Sequence, residues 1–209
     1  MQAVITADIV NSTKLEPDAF HALEEDIRAL YDKPFRLLFY RGDSYQVLIP
    51  EGYSAYRYML LSRLIAISYS KDVRIDIRQS LRLGNVSKEI IDMGSHVDPV
   101  FVNSGRSFDQ FSEGEAGRLL LMTCGDKLFD MNFELIARYT DSLLSQVTAK
   151  QAKAINQLFS GKTQKETAAL LGKTGATINQ QVKAARFEEL ELLVSKYEEL
   201  TQIVEQHGI

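Results

Sequence analysis

Apolar positions along this chain follow two periods, and the changes between them outline its elements. Gln2–Ile9 alternates and is rich in β-branched residues, which predicts a strand. Phe20, Leu23, Ile27, Leu30 and Tyr31 recur at helical spacing between Pro17 and Asp32. Pro17 suits a first helical turn, and Pro34 ends the segment. Phe35–Tyr40 and Tyr45–Ile49 flank Arg41-Gly42-Asp43-Ser44, the pattern of a hairpin. Tyr53–Tyr69 predicts a largely buried helix. Val73, Ile75 and Ile77 alternate with Arg74, Asp76 and Arg78, so Val73–Leu83 is expected to be a strand. Asn85–Pro99 reads as a loop or frayed element, Val100–Phe111 as a short helix and Arg118–Thr123 as an apolar strand. Lys127–Ser145 is a long amphipathic pattern carrying Leu128, Phe129, Phe133, Ile136, Leu143 and Leu144. From there to residue 207 the whole pattern is helical.

The order β-α-β-β-α-β, with a further helix and strand, predicts an α+β fold built on an antiparallel or mixed sheet covered by helices. A small all-α unit follows. The boundary falls near residue 146, giving an N-terminal domain over 1–146 and a C-terminal one over 147–209. The length of 209 residues suits one large domain or two small ones. Neither the 45% apolar nor the 25% charged content departs from a globular protein, and no apolar run approaches the roughly 20 residues of a membrane span. The opening MQAVITADIV lacks the basic stretch and cleavage site of a signal peptide. Lone Cys124 fits a reducing compartment, so a cytoplasmic location without membrane contact is expected. His21, His96 and His207 lie too far apart in sequence to suggest a zinc site.

Charge is unevenly spread. Residues 148–187 carry seven Lys/Arg against Glu166 alone, a net of +6, whereas 188–209 carry Lys196 against six Glu, a net of −5. A basic island in a chain of net charge −4 suggests a local polyanion contact. A solvated, Lys-rich helical face is the other reading of the same residues.

The basic island has an ordered sequence. Thr148 can cap a first helix running to Phe159, and Gly161 can end it. Thr163 and Glu166 form a T-x-x-E capping box for a second helix. Ala168 is small where two helices approach, and Gly172 can take a positive φ in the turn. Thr174 caps a third helix whose Ile178, Val182 and Ala185 are expected to pack on Leu170, Leu171 and Leu158. Its opposite face carries Ala176, Asn179, Gln180 and Lys183. Asn and Gln amides bond adenine in the major groove, and Lys bonds guanine or phosphate. The backbone amides near Lys162–Gln164 and Thr174–Ala176 are expected phosphate seats.

This stretch resembles the helix-turn-helix of sigma factor region 4 and of LuxR-type response regulators. Gly161, Thr163, Glu166, Ala168, Leu171, Gly172, Thr174, Thr177, Ile178 and Val182 stand at the family's spacing. Lys173 and Thr167 replace residues that are usually aliphatic there. The resemblance implies binding to double-stranded DNA, with Lys162, Thr163, Lys173, Thr174, Ala176, Thr177, Asn179, Gln180 and Lys183 as the contacting set. A purely structural three-helix bundle is the alternative. Beyond it, Leu190, Leu193, Val194, Tyr197, Leu200, Ile203 and Val204 make an apolar stripe over Phe187–Gln206, open to packing on the rest of the chain or to a homodimer seam.

In the N-terminal part, Ile5–Thr13 (ITADIVNST) resembles the first strand and loop of class III nucleotide cyclases, and Arg41-Gly42-Asp43-Ser44-Tyr45 resembles their metal-binding hairpin and that of GGDEF diguanylate cyclases. The resemblance implies a ferredoxin-like βαββαβ domain in which Asp8 and Asp43 hold Mg²⁺ against nucleotide phosphates, with Asn11, Ser12 and Thr13 offering backbone amides. It departs at the transition-state pair: Asn103 and Arg106 are three residues apart where the family has four. Asp8 capping a loop and Asp43 serving a tight turn is the metal-free reading. Asp8–Ser12 together with Phe101–Phe111 (FVNSGRSFDQF) resembles the SatD-like bacterial proteins, a cyclase-like domain followed by a helical DNA-binding tail. The expected function is a DNA-binding regulator whose first domain senses a nucleotide, another small molecule or a partner. A metal-dependent nucleotide cyclase is the alternative.

Overall fold

The computed structural model describes residues 1–40, 42–86, 93, 98–114 and 119–208, with side chains at 112–114 left aside. Arg41, His96 and most of the expected loop at Asn85–Pro99 lie outside the described residues, as does Arg118. The fold is α+β. Its strands are β1 (Gln2–Val10), β2 (Arg36–Tyr40), β3 (Ser44–Ile49), β4 (Asp76–Gly84) and β5 (Leu120–Thr123). They form one mixed sheet in the order β2-β3-β1-β4-β5. β1 runs antiparallel to both β3 and β4, β2 and β3 form the hairpin, and β5 joins β4 in parallel.

Alternation on β1 decides which helices cover which face. Ala3, Ile5, Ala7 and Ile9 point into the main core with α1 (Pro17–Leu30) and α2 (Ala55–Ser68). Val4 points the other way and packs with Leu48, Val100 and Phe101. The last two belong to α3 (Pro99–Gly114). Ser104 of α3 bonds Thr6 across 2.8 Å, and a Cβ on Gly84 would stand 2.7 Å from a methyl of Val100, so only glycine lets α3 lie this close. β4 starts at Asp76 rather than Val73. The preceding residues make a turn in which the Ile75 amide donates to Ser70 Oγ, and Arg74 reaches away to the carbonyls of Leu144 and Val147.

α2 lies between two layers. Ten of its fourteen residues are buried, because the sheet covers one side and C-terminal helices cover the other. Those helices are α4 (Lys127–Leu144), α5 (Ala149–Phe159), α6 (Gln164–Leu171), α7 (Gly175–Ala184) and α8 (Phe187–Gln206). α5 lies against α2 and also meets α6 and α7, burying Ala152, Ala154, Ile155 and Phe159. One continuous cluster of buried residues runs from Ala3 in β1 to Val204 in α8.

α8 follows α7 as a separate helix, because Arg186 breaks the path with φ 53°. Its stripe turns back on its own chain. Leu190, Leu193, Val194, Tyr197 and Val204 are buried there, and the Tyr197 hydroxyl donates to the Gly52 carbonyl at 2.8 Å. Three expected core residues face outward instead: Leu128 is 66% exposed, Leu170 59% and Ile203 42%. In α4 it is Phe129 that packs on the core, leaving Leu128 about 100° round the helix. In α6 the inward positions are Thr167, Ala168 and Leu171, which puts Leu170 on the far side.

Candidate functional site

Capping builds the C-terminal surface. Thr148 Oγ1 accepts from the Gln151 amide and Thr163 Oγ1 from the Glu166 amide, each closing a reciprocal box. Thr174 Oγ1 accepts from the Thr177 amide at 3.1 Å. Gly172 ends α6 at φ 61°, the left-handed turn that joins it to α7. Ile178, Val182 and Ala185 are buried on the inner side of α7, near partly buried Leu158 and Leu171.

The outer side is free. Lys162, Thr163, Lys173, Thr174, Ala176, Asn179, Gln180 and Lys183 are exposed, and Thr177 is half-buried. Among the described residues, none of Lys162, Lys173 and Lys183 has an ion-pair partner, and the side-chain amides of Asn179 and Gln180 have no hydrogen bond. Arg186 differs. It donates to Glu189 at 2.9 Å and to the Tyr139 hydroxyl at 2.7 Å, so its charge is tied to the body.

The two expected phosphate seats are unequal. At α6 the Lys162 amide donates to the Gln157 carbonyl and the Thr163 amide to Glu166 Oε2 at 2.8 Å. A carboxylate already fills that position, and these hydrogen bonds hold Glu166 below its ordinary pKa. The Gln164 and Lys165 amides beyond it meet no acceptor among the described residues, but the Glu166 carboxylate beside them disfavours a phosphate there. At α7 the amides of Gly175 and Ala176 meet no acceptor among the described residues, and the first turn carries no acid.

In the N-terminal part, the end of β1 and the β2–β3 turn bring Asp8 and Asp43 together. The Ile9 amide donates to the Asp43 carbonyl at 3.1 Å. Ser12 Oγ donates to Asp43 Oδ2 at 2.6 Å, and Ser44 Oγ donates to Asp8 Oδ1 at 3.2 Å. Burial first, and then the charge of Asp43, raise the pKa of Asp8. Asn11 adopts φ 64° and its side chain donates to the Arg74 carbonyl, so it serves the bend after β1. Ser12, Thr13, Gly42 and Asp43 line an open cleft of about 350 Å³ with Leu15, Pro17 and Phe20. Asp8 stands behind it on the strand. Among the described residues no group of three or more His, Cys, Asp or Glu gathers as a metal site. On α3, Ser104 faces the sheet. Arg106, two residues on and about 200° round the helix, is exposed and points away from β1.

A feature without a sequence signal is a second cleft, of about 610 Å³, between the segment after β1, the α2–β4 turn and the start of α5. Lys14, Lys71, Lys150 and Lys153 line it, and only the last two are neighbours in sequence. No described helix is long and apolar enough to cross a membrane. No protein-family model and no curated protein matches this chain.

Proposed function

We propose that residues 147–209 form a helix-turn-helix that binds double-stranded DNA, and that the chain is a transcriptional regulator. The observation that carries this is the outer face of α7, where Asn179, Gln180 and Lys183 stand exposed and, among the described residues, without side-chain partners, beside a helix start with two unaccepted amides and no acid. A major-groove reader needs amide side chains for base edges, and it needs backbone donors and lysines for phosphates. The test is fluorescence anisotropy with a labelled pool of genomic fragments at about 50 mM salt, where phosphate contacts are strong. Absence of binding there refutes the reading.

A second reading concerns residues 1–146, which we take as a cyclase-like domain sensing a nucleotide. In support, the strand order β2-β3-β1-β4 with antiparallel neighbours matches the order expected of a ferredoxin-like βαββαβ unit. The pairing of Asp8 with Asp43 favours a divalent cation, since the repulsion that raises the Asp8 pKa is what a bound Mg²⁺ relieves. In this reading the two carboxylates hold the ion, and Ser12 and Thr13 lie on the phosphate side of the cleft. The ion would supply charge neutralisation for the phosphates. Thermal melting with Mg²⁺ and ATP or GTP checks this: a rise in Tm that Asp43→Ala abolishes supports it, and no rise refutes it. Turnover of either nucleotide in the same samples separates an enzyme from a sensor.

A further inference from the structure

We propose that the cleft lined by Lys14, Lys71, Lys150 and Lys153 binds a diphosphate-bearing small molecule of nucleotide size. The cleft holds about 610 Å³, within the range of small-ligand sites. Its four lysines come from three separate segments: the 3₁₀ turn after β1, the turn between α2 and β4, and the first turns of α5. Lys150 and Lys153 stand three apart on α5 and share a face. All four are exposed, and none has an ion-pair partner among the described residues. Glu16 and Asp72 also line the cleft but pair with none of them, so the lining keeps a surplus of two positive charges. Like charges facing across a concave surface repel, and an anion with two charged groups removes that repulsion.

Backbone geometry adds donors on the same side. Thr148 and Gln151 cap each other, and the next amides, of Ala149 and Lys150, meet no acceptor among the described residues. Both residues line the cleft. The first turn of α5 thus places N–H groups beside the lysines, where phosphate oxygens accept most favourably.

The remaining wall is apolar and explains why the ligand is more than an inorganic anion. Leu15, Val73, Ile75 and the ring of Tyr69 form it, and Val73 is 41% exposed although nothing polar requires it there. The Tyr69 hydroxyl donates to Asp26 at 2.7 Å, which fixes the ring. A flat or aliphatic group joined to the diphosphate covers this wall.

The site spans both parts of the chain. Its link to DNA binding rests on the helix-turn-helix reading, because α5 would be the first helix of that motif. Binding in the cleft does not depend on that reading, so the test uses no DNA. Isothermal titration calorimetry of the full chain with ADP and with pyrophosphate is run in EDTA, which removes any contribution from a metal at Asp8 and Asp43. We expect ADP to bind at micromolar to submillimolar Kd at about 50 mM salt, and pyrophosphate to bind more weakly. Lys71→Ala with Lys153→Ala weakens ADP by about tenfold or more, as expected for losing two charge-assisted contacts. Lys162→Ala with Lys183→Ala leaves it unchanged. No ADP binding up to millimolar concentration overturns the proposal, and so does binding that the Lys71/Lys153 double variant does not weaken. Circular dichroism confirms that these surface variants stay folded.

Discussion

Arg63 in α2 grips Asp76 at the start of β4 with two parallel hydrogen bonds, Nε to Oδ1 at 2.8 Å and Nη2 to Oδ2 at 3.1 Å. Its remaining Nη1 donates to Asp141 of α4 at 2.6 Å, and the other oxygen of Asp141 accepts from the amides of Leu119 and Leu120. One guanidinium, 1% exposed, therefore ties α2, β4, α4 and the entry to β5. Burying this group costs desolvation, which its two carboxylates offset. Arg63→Met leaves Asp76 with Arg74 as its cation, at 3.1 Å, and Asp141 with the two backbone amides alone. We expect a loss of about 3–5 kcal/mol, read from urea denaturation.

Thr167 should be improved by the opposite change. It is fully buried in α6, and among the described residues its hydroxyl has no hydrogen-bond partner. Valine has nearly the same shape and removes the unpaired group. Thr167→Val is expected to raise stability by about 1 kcal/mol, seen as a higher urea midpoint at unchanged slope. A lower midpoint would show that the hydroxyl has a role in folding.

Asp8 predicts a pH dependence with a definite sign. Its pKa is raised from 3.8 by burial and by Asp43, so the folded protein holds this proton more tightly than the unfolded chain does. The ionised carboxylate thus weakens the fold above its folded pKa, and the effect disappears below the unfolded one. Asp8→Asn should melt at a higher temperature than wild type at pH 7, with the gap closing as the pH falls toward 4 or below. Asparagine can still accept the Ser44 hydrogen bond. Equal melting temperatures at pH 7 would count against this account.

Under the proposed helix-turn-helix reading, base-reading and phosphate-contacting residues on α7 are expected to separate. Asn179→Ala with Gln180→Ala is expected to flatten sequence preference, costing about 1–3 kcal/mol per lost base contact on the preferred site only. Lys173→Ala or Lys183→Ala should weaken all duplexes alike and lower the salt slope by about one unit each. Anisotropy titrations across a salt series measure both. A uniform effect from the amide pair would remove them from the base-reading role.

Local signals were legible wherever one residue decides the geometry. The caps at Thr148, Thr163 and Thr174 and the turn glycine at Gly172 act within four residues, so the helices of the C-terminal region follow from their own sequence. Alternation in β1 likewise announced a strand, though not that both its faces are buried. Non-local facts were not legible. Leu128 and Leu170 carry the right chemistry for a core, and only packing shows that Phe129 and Thr167 take the inward places. The pairing of Glu166 with the Thr163 amide was visible as a capping box, yet its consequence, a carboxylate held beside the expected phosphate seat, appears only in the geometry. Lys14 and Lys71 have no local pattern at all, because the fold alone brings them to Lys150 and Lys153.

The burial of α2 has a mechanical consequence. A helix joined to its neighbour by a flexible linker can sample many orientations. Here α7 rests on α5, α5 rests on α2, and α2 is held against the sheet. The helix is mounted rather than tethered. Its pose is inherited from the sheet through two layers of side chains, so reorienting α7 means tilting the whole body or slipping α5 across α2.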